Sequence, residues 1–310
     1  MKIGIKLRKV DKTWNTYVEK LSSVADTELI YEQSLMSKHE GIEILITTSL
    51  CSSDVEKLPD LKAVFLFKTG MDELPRDVLN KKNVKIFPSH ANADIIAEHA
   101  LALALSLLHR INEFDADLRR NVWFADGKNY CWKSISSLKI GILGYGCIGS
   151  SLVKKLSGMT SLIMALNKNG MYGQYVIAAS NLYELLEWSD LLFICLPKTS
   201  DTVGMIDSDA LRKMKGKYIV NIARAEICDE EALYNSLRDG ELAGYASDVW
   251  YLEPDKMDRT KPIPPSKFSF ANMKNVVLSP HCATHEFGAH ERYIADTVER
   301  CMRYMREESL

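Results

Sequence analysis

A chain of 310 residues, 46% hydrophobic and 26% charged, is long enough to fold as two ordinary globular domains, each with a core of its own. Its 39 Lys and Arg against 41 Asp and Glu leave a formal charge of -2, which argues against a nucleic-acid surface or an anionic membrane and for a small-molecule partner. The 7 cysteines are odd in number and form no C-x-x-C pair, so neither a disulfide framework nor a metal site is expected, and reduced thiols suit a cytoplasmic protein.

The opening Met1-Lys2-Ile3-Gly4-Ile5-Lys6 alternates charge with apolar residues, unlike a signal peptide, and predicts a strand over 2–7. A helix over 11–24 and strands over 43–48, 61–67 and 84–87 follow, describing a small doubly wound sheet. From Ala93 a long helix rich in Ala and Leu is apolar nearly all round, so it should lie buried between layers or subunits. The domain crossover is placed at its start. A second set comprises strands over 138–143, 162–166, 191–196, 218–222, 244–248 and 276–278, with helices over 147–156 and 230–237. That is a Rossmann-type sheet of about six strands. The helical spacing over 286–306 predicts a return to the first domain, with a cleft between the two.

The strand that ends at Leu143 runs into Gly144-Tyr145-Gly146-Cys147-Ile148-Gly149, and a helix follows. In that context the glycines allow a tight turn, a close approach of backbone to a pyrophosphate, and close packing of helix on strand. An acid about 20 residues on, which would bind the ribose of NAD, is missing. The second strand ends at Leu166-Asn167-Lys168-Asn169, and no Asp or Glu occurs between Gly144 and Glu184. Asn167 and Lys168 suit a 2′-phosphate, so NADP is favoured over NAD.

Arg224, Glu253 and His281 each follow a predicted strand of the second domain, at the edge where open α/β sheets bind ligands. Singly, each is an ordinary surface or structural residue. Together they supply a guanidinium to clamp a carboxylate, an imidazole to carry a proton, and a carboxylate to orient that ring and favour its charged form.

On these residues the chain resembles the D-isomer-specific 2-hydroxyacid dehydrogenases over nearly its whole length. The matching segments are Leu61-Lys62-Ala63 through Lys68-Thr69-Gly70-Met71-Asp72, Asn92-Ala93-Asp94-Ile95-Ile96-Ala97-Glu98, the glycine motif, Leu196-Pro197 with Thr202, 221–233, 248–254, and Ser279-Pro280-His281. The resemblance implies two doubly wound parallel-sheet domains, a Rossmann cofactor domain (93–284) inserted into a flavodoxin-like substrate-binding domain (1–92 plus 285–310). It implies Arg224 as substrate anchor, His281 as acid/base, Glu253 as its partner, and amides at Thr69 and Gly70 for the substrate carboxylate. Cofactor contacts are implied at Gly144, Tyr145, Gly146, Cys147, Ile148, Gly149, Asn167, Lys168, Leu196, Pro197, Thr202, Ile222, Ala223 and Asp248, the last facing the nicotinamide carboxamide.

The expected activity is hydride transfer between NADP(H), or NAD(H), and a small 2-oxo or D-2-hydroxy acid, in a homodimer joined through the cofactor domain. A dinucleotide-sensing corepressor and a formate dehydrogenase are the alternatives, the second disfavoured by Glu253 where that enzyme carries Gln. Departures from the family pattern are Ala225 for Gly, Trp250 for Phe, Lys68 for Ser, and the stretch Cys282-Ala283-Thr284-His285-Glu286, which lacks the usual later Thr. Lys68 would attract a second acidic group or point to solvent.

Overall fold

The structure, a computed structural model, describes residues 1–31, 35–123, 130–170, 172–174, 176–254 and 261–307. The chain divides into two compact units, Met1–Asn92 with His285–Leu310, and Ala93–Thr284.

In the first unit the parallel strands β1 (Lys2–Leu7), β2 (Asp26–Tyr31), β3 (Ile42–Thr47), β4 (Ala63–Leu66) and β5 (Lys85–Pro88) form one sheet in the order β2-β1-β3-β4-β5. This is the flavodoxin-like order of a doubly wound fold. Helices α1 (Asn15–Ser22), α2 (Ser52–Glu56) and α3 (Arg76–Lys81) connect the strands. The predicted helix over 11–24 is shorter than expected: Asp11 caps a 3-10 turn at Lys12–Trp14, and α1 ends at Ser22. Strand β2 escapes sequence reading because it is an edge strand in which only Ile30 is buried.

The final helix α10 (Ala289–Glu307) belongs to this unit. Tyr293, Ile294, Val298, Cys301 and Met305 lie on its apolar face and pack with Ile3, Ile5 and Phe65 of the sheet. The segment ends are also joined: Asn92 donates from Nδ2 to the Ala289 carbonyl at 2.9 Å and accepts Arg292 Nε at 3.1 Å. Below the sheet, Lys6 Nζ meets Asp54 Oδ2 at 2.7 Å, with both side chains buried. Burial raises the Asp54 carboxyl, but Lys6 and the amides of Leu35 and Cys51 outweigh it and hold the group below the usual carboxylate range.

The second unit holds β6 (Ile140–Leu143), β7 (Ile163–Leu166), β8 (Ile177–Ala178), β9 (Leu191–Ile194), β10 (Tyr218–Asn221), β11 (Gly244–Ser247) and β12 (Val276–Leu278). All pair in parallel, in the order β12-β11-β10-β9-β6-β7-β8. The order reverses between β6 and β9, the crevice position of a Rossmann sheet. Among the described residues this sheet has seven strands where about six were expected, because β8 is two exposed residues with no hydrophobic pattern to read.

Helices α4 (Ala93–Leu108), α5 (Ile111–Arg119), α6 (Cys147–Leu156), α7 (Leu182–Trp188), α8 (Ser208–Lys213) and α9 (Glu230–Arg238) complete the unit. The Ala- and Leu-rich helix α4 buries Ile96, Ala100, Leu103 and Leu107 among the strand residues of its own unit, while Ile95, Leu101 and Leu105 are half-buried. Asp229 caps α9 by accepting the Ala232 amide at 2.8 Å, which fixes where the chain after Arg224 turns into helix. No described helix is long and apolar enough to cross a membrane.

Candidate active site

The glycine turn sits between β6 and α6 at the point where the strand order reverses. Gly144 has φ of +102°, and a Cβ there would lie 2.9 Å from the Cys195 carbonyl carbon and oxygen. A Cβ on Gly149 would lie 2.2 Å from the Gly144 oxygen, so that glycine permits helix and strand to pack closely. At Gly146 a Cβ would meet nothing within 4 Å. The open side of the turn is therefore at Gly146, Cys147 is exposed beside it at the start of α6, and Ile148 is half-buried against the core. An open glycine beside a helix N-terminus is a geometry that fits a pyrophosphate.

The turn is laced to the end of β7. Asn167 donates from Nδ2 to the Tyr145 carbonyl at 3.4 Å, and its own amide donates to Tyr172 Oη at 2.9 Å. The Gly173 amide donates to Tyr145 Oη at 3.3 Å, and the two tyrosine rings lie 5.7 Å apart. Lys168 is exposed, with no hydrogen bond or ion pair among the described residues. After β9, Thr202 donates from Oγ1 to the Pro197 carbonyl at 2.7 Å and accepts the Thr199 amide at 2.8 Å, so it shapes the loop that begins at Leu196.

Three neighbouring strands deliver the chemical residues. Arg224 follows β10, Asp248 follows β11 and His281 follows β12, and these strands are adjacent in the sheet. Buried Asn221 folds the first loop by accepting the Ala223 amide at 3.0 Å and donating to the Arg224 carbonyl at 2.9 Å. Ile222 and Ala223 are buried there, and Arg224 Nη1 donates to the Ala223 carbonyl at 2.6 Å.

Asp248, 2% exposed, holds the third loop. Its Oδ1 accepts Ser279 Oγ at 2.5 Å and the Cys282 amide at 2.9 Å, and its Oδ2 accepts the Ala283 amide at 2.9 Å. His99 Nε2 lies 2.8 Å from Ser279 Oγ and 3.4 Å from Asp248 Oδ1. Burial pushes the Asp248 carboxyl up, but His99, Ser279 and the two amides outweigh it and bring it down to about 2.

His281, between the clamped residues, has φ of +54°, a left-handed conformation uncommon outside glycine. Its Nδ1 lies 2.6 Å from Glu253 Oε1, with both side chains about half-exposed. Trp250, where Phe was the expected type, donates from Nε1 to the Ser279 carbonyl at 2.9 Å and so anchors the same loop.

Sequence reasoning missed His99, Ser279 and Asn221 as supports. A buried Asn at a strand end was the one available signal; His99 and Ser279 are 180 positions apart and only folding joins them. In the first unit, Thr69 donates from Oγ1 to the Ser89 carbonyl at 3.0 Å and meets Tyr293 Oη at 3.0 Å, which fixes the loop through Gly70. Lys68 pairs with Glu73 at 2.9 Å and is not simply turned to solvent.

A Rossmann unit with this turn and these residues defines a dinucleotide-dependent oxidoreductase. Residues 101–283 match the family model for the NAD binding domain of D-isomer specific 2-hydroxyacid dehydrogenases, and the chain belongs to that family. It is accordingly an NAD(P)-dependent 2-hydroxyacid oxidoreductase. It is 30% identical over 263 residues to a glyoxylate reductase of Thermofilum pendens, covering 82% of this chain and 74% of that one. With a D-3-phosphoglycerate dehydrogenase of Mycobacterium leprae it shares 29% identity over 265 residues, 83% of this chain but only 48% of that one. The solved PH0520 protein of Pyrococcus horikoshii OT3 superposes with a TM-score of 0.80 at 26% identity, covering 97% of this chain and 91% of that one.

Two measurements probe this geometry. Gly146→Ala should fold with unchanged thermal stability yet bind NADPH about 10- to 100-fold more weakly by fluorescence titration, as overpacking a contact surface does; a destabilised protein with intact affinity would contradict the open-side assignment. Asp248→Asn should cost roughly 2–3 kcal/mol in urea unfolding near pH 7. Because the folded pKa is depressed, the contribution is present above the ordinary carboxylate range and is lost as pH falls toward about 2. The gap to the parent should shrink to about half near pH 3, and a pH-independent gap would contradict it.

Proposed function

We propose that the protein reduces small 2-oxo acids to D-2-hydroxy acids, reversibly, with NADP(H) preferred to NAD(H). The observation that carries this reading is the 2.6 Å contact of His281 Nδ1 with Glu253 Oε1. A carboxylate only accepts, so Nδ1 carries the proton of that contact and Nε2 is the nitrogen left to face a substrate. When bound, the nicotinamide supplies or receives the hydride. Arg224 holds the substrate carboxylate and polarises the keto oxygen, His281 delivers the proton to the developing alkoxide, and Glu253 stabilises the imidazolium. Asp248 Oδ2, which accepts one amide, keeps a lone pair for the nicotinamide carboxamide.

The phosphate preference rests on Lys168 and Asn167 at the end of β7 and on the lack of any acid between Gly144 and Glu184. The glyoxylate reductase relative supports a small substrate. An acid at Glu253 favours carbonyl reduction over formate oxidation. A panel of 2-oxo acids assayed with both cofactors tests the reading: glyoxylate or hydroxypyruvate should turn over with a higher kcat/KM for NADPH, and a clear NADH preference would refute the cofactor assignment. His281→Ala should lose about 100- to 10,000-fold in kcat. Retained activity would remove His281 from its role.

The proposed assembly is a homodimer through the cofactor unit. A face for a second copy is offered by α5 together with Trp123 and Trp132. There Ile111, Leu118, Trp123 and Trp132 are 52%, 52%, 82% and 53% exposed, a concentration of apolar surface unusual for a monomer. Ile111→Asp with Leu118→Asp should sediment as a monomer; an unchanged dimer would place the interface elsewhere.

A further inference from the structure

We propose that His99, Asp248 and Cys282 form a site for one thiophilic divalent cation of the zinc class, and that filling it switches turnover off. His99 Nε2, Asp248 Oδ1 and Cys282 Sγ all lie within 4.8 Å of one another, and the first two are 3.4 Å apart. Zinc bonds of about 2.0–2.1 Å to N or O and 2.3 Å to S place tetrahedral ligands roughly 3.3–3.8 Å apart, so one edge is already formed and small side-chain rotations close the others.

The Ser279 hydroxyl stands among the three, 2.8 Å from His99 Nε2, 2.5 Å from Asp248 Oδ1 and 3.2 Å from Cys282 Sγ. Rotation about its single χ1 bond vacates that position, and water or the hydroxyl itself completes the fourth place. One carboxylate and one thiolate balance a divalent charge, with the Cys282 proton released to solvent on binding. The mixed N, O and S donors select zinc, cobalt or cadmium over magnesium and calcium. Entry is open, because His99 is 27% exposed and Cys282 is half-buried.

The consequence follows from what Asp248 otherwise holds. Ligation draws Oδ1 away from Ser279 and the Cys282 amide and pulls on the residue next to His281, whose φ of +54° depends on that loop. The switch rests on the role proposed for His281. The cation site itself does not.

Titration of the purified protein with Co²⁺ and Zn²⁺ tests both parts. Expected are one ion per chain by calorimetry, a thiolate-to-cobalt charge-transfer band, and loss of 2-oxo acid reduction that a chelator restores. Cys282→Ala and Cys282→Ser, checked for parent-like melting, should reduce without metal like the parent, lose the band, and weaken zinc inhibition by about 10- to 100-fold or more. Absence of the band in the parent, or its persistence in Cys282→Ala, overturns the site. Stoichiometric binding with undiminished turnover overturns the switch. Should no 2-oxo acid be reduced, the band and its loss in the variants still decide the site.

Discussion

The carboxylate of Asp248 is the constraint on which the chemical end of the second unit depends. Its oxygens accept a hydroxyl and two backbone amides from the loop after β12, and those bonds bracket a histidine in a conformation that side chains other than glycine rarely adopt. Without the clamp, the loop would relax His281 toward ordinary backbone space and away from Glu253. With it, an exposed histidine has one nitrogen committed and one free. Trp250 adds a further anchor on Ser279, so a position where phenylalanine was the expected type carries a hydrogen bond as well as bulk.

The sheet explains why these loops meet. Parallel strands end on the same edge, and β10, β11 and β12 are successive neighbours, so Arg224, Asp248 and His281 arise side by side although the chain separates them widely. The glycine turn lies on that edge too, at the reversal of strand order between β6 and β9. Its steric demands run in opposite directions: Gly144 and Gly149 face backbone that leaves no room for a side chain, while Gly146 faces open space. The turn is therefore open at one point and closed by protein at the others.

Much of this was legible in the sequence because buried parallel strands write themselves as short apolar runs. The helix from Cys147 to Leu156 was read with both ends right, and the strand ahead of the glycines with the right end at Leu143 but a start two residues before Ile140. What escaped had weak periodicity. Strand β8 is two exposed residues, α5 buries none of its side chains, and β2 buries only Ile30. Contacts that cross the chain were illegible for a different reason: nothing near His99 in sequence announces a hydrogen bond to Ser279. Both readings of Lys68, as a charge for a second acidic group or as one that faces solvent, overlooked Glu73, five residues on, whose carboxylate lies 2.9 Å away.

Amide hydrogen exchange at Cys282 and Ala283 tests the clamp most directly, compared between the parent and Asp248→Ala. Release of the loop predicts that both amides exchange at least about 10-fold faster in the variant, by loss of more than about 1.4 kcal/mol of local protection, while β10 and β11 keep theirs. Unchanged exchange at the two amides, together with lost activity, would show that Asp248 serves the reaction without holding the His281 loop, and would contradict the central role given to it.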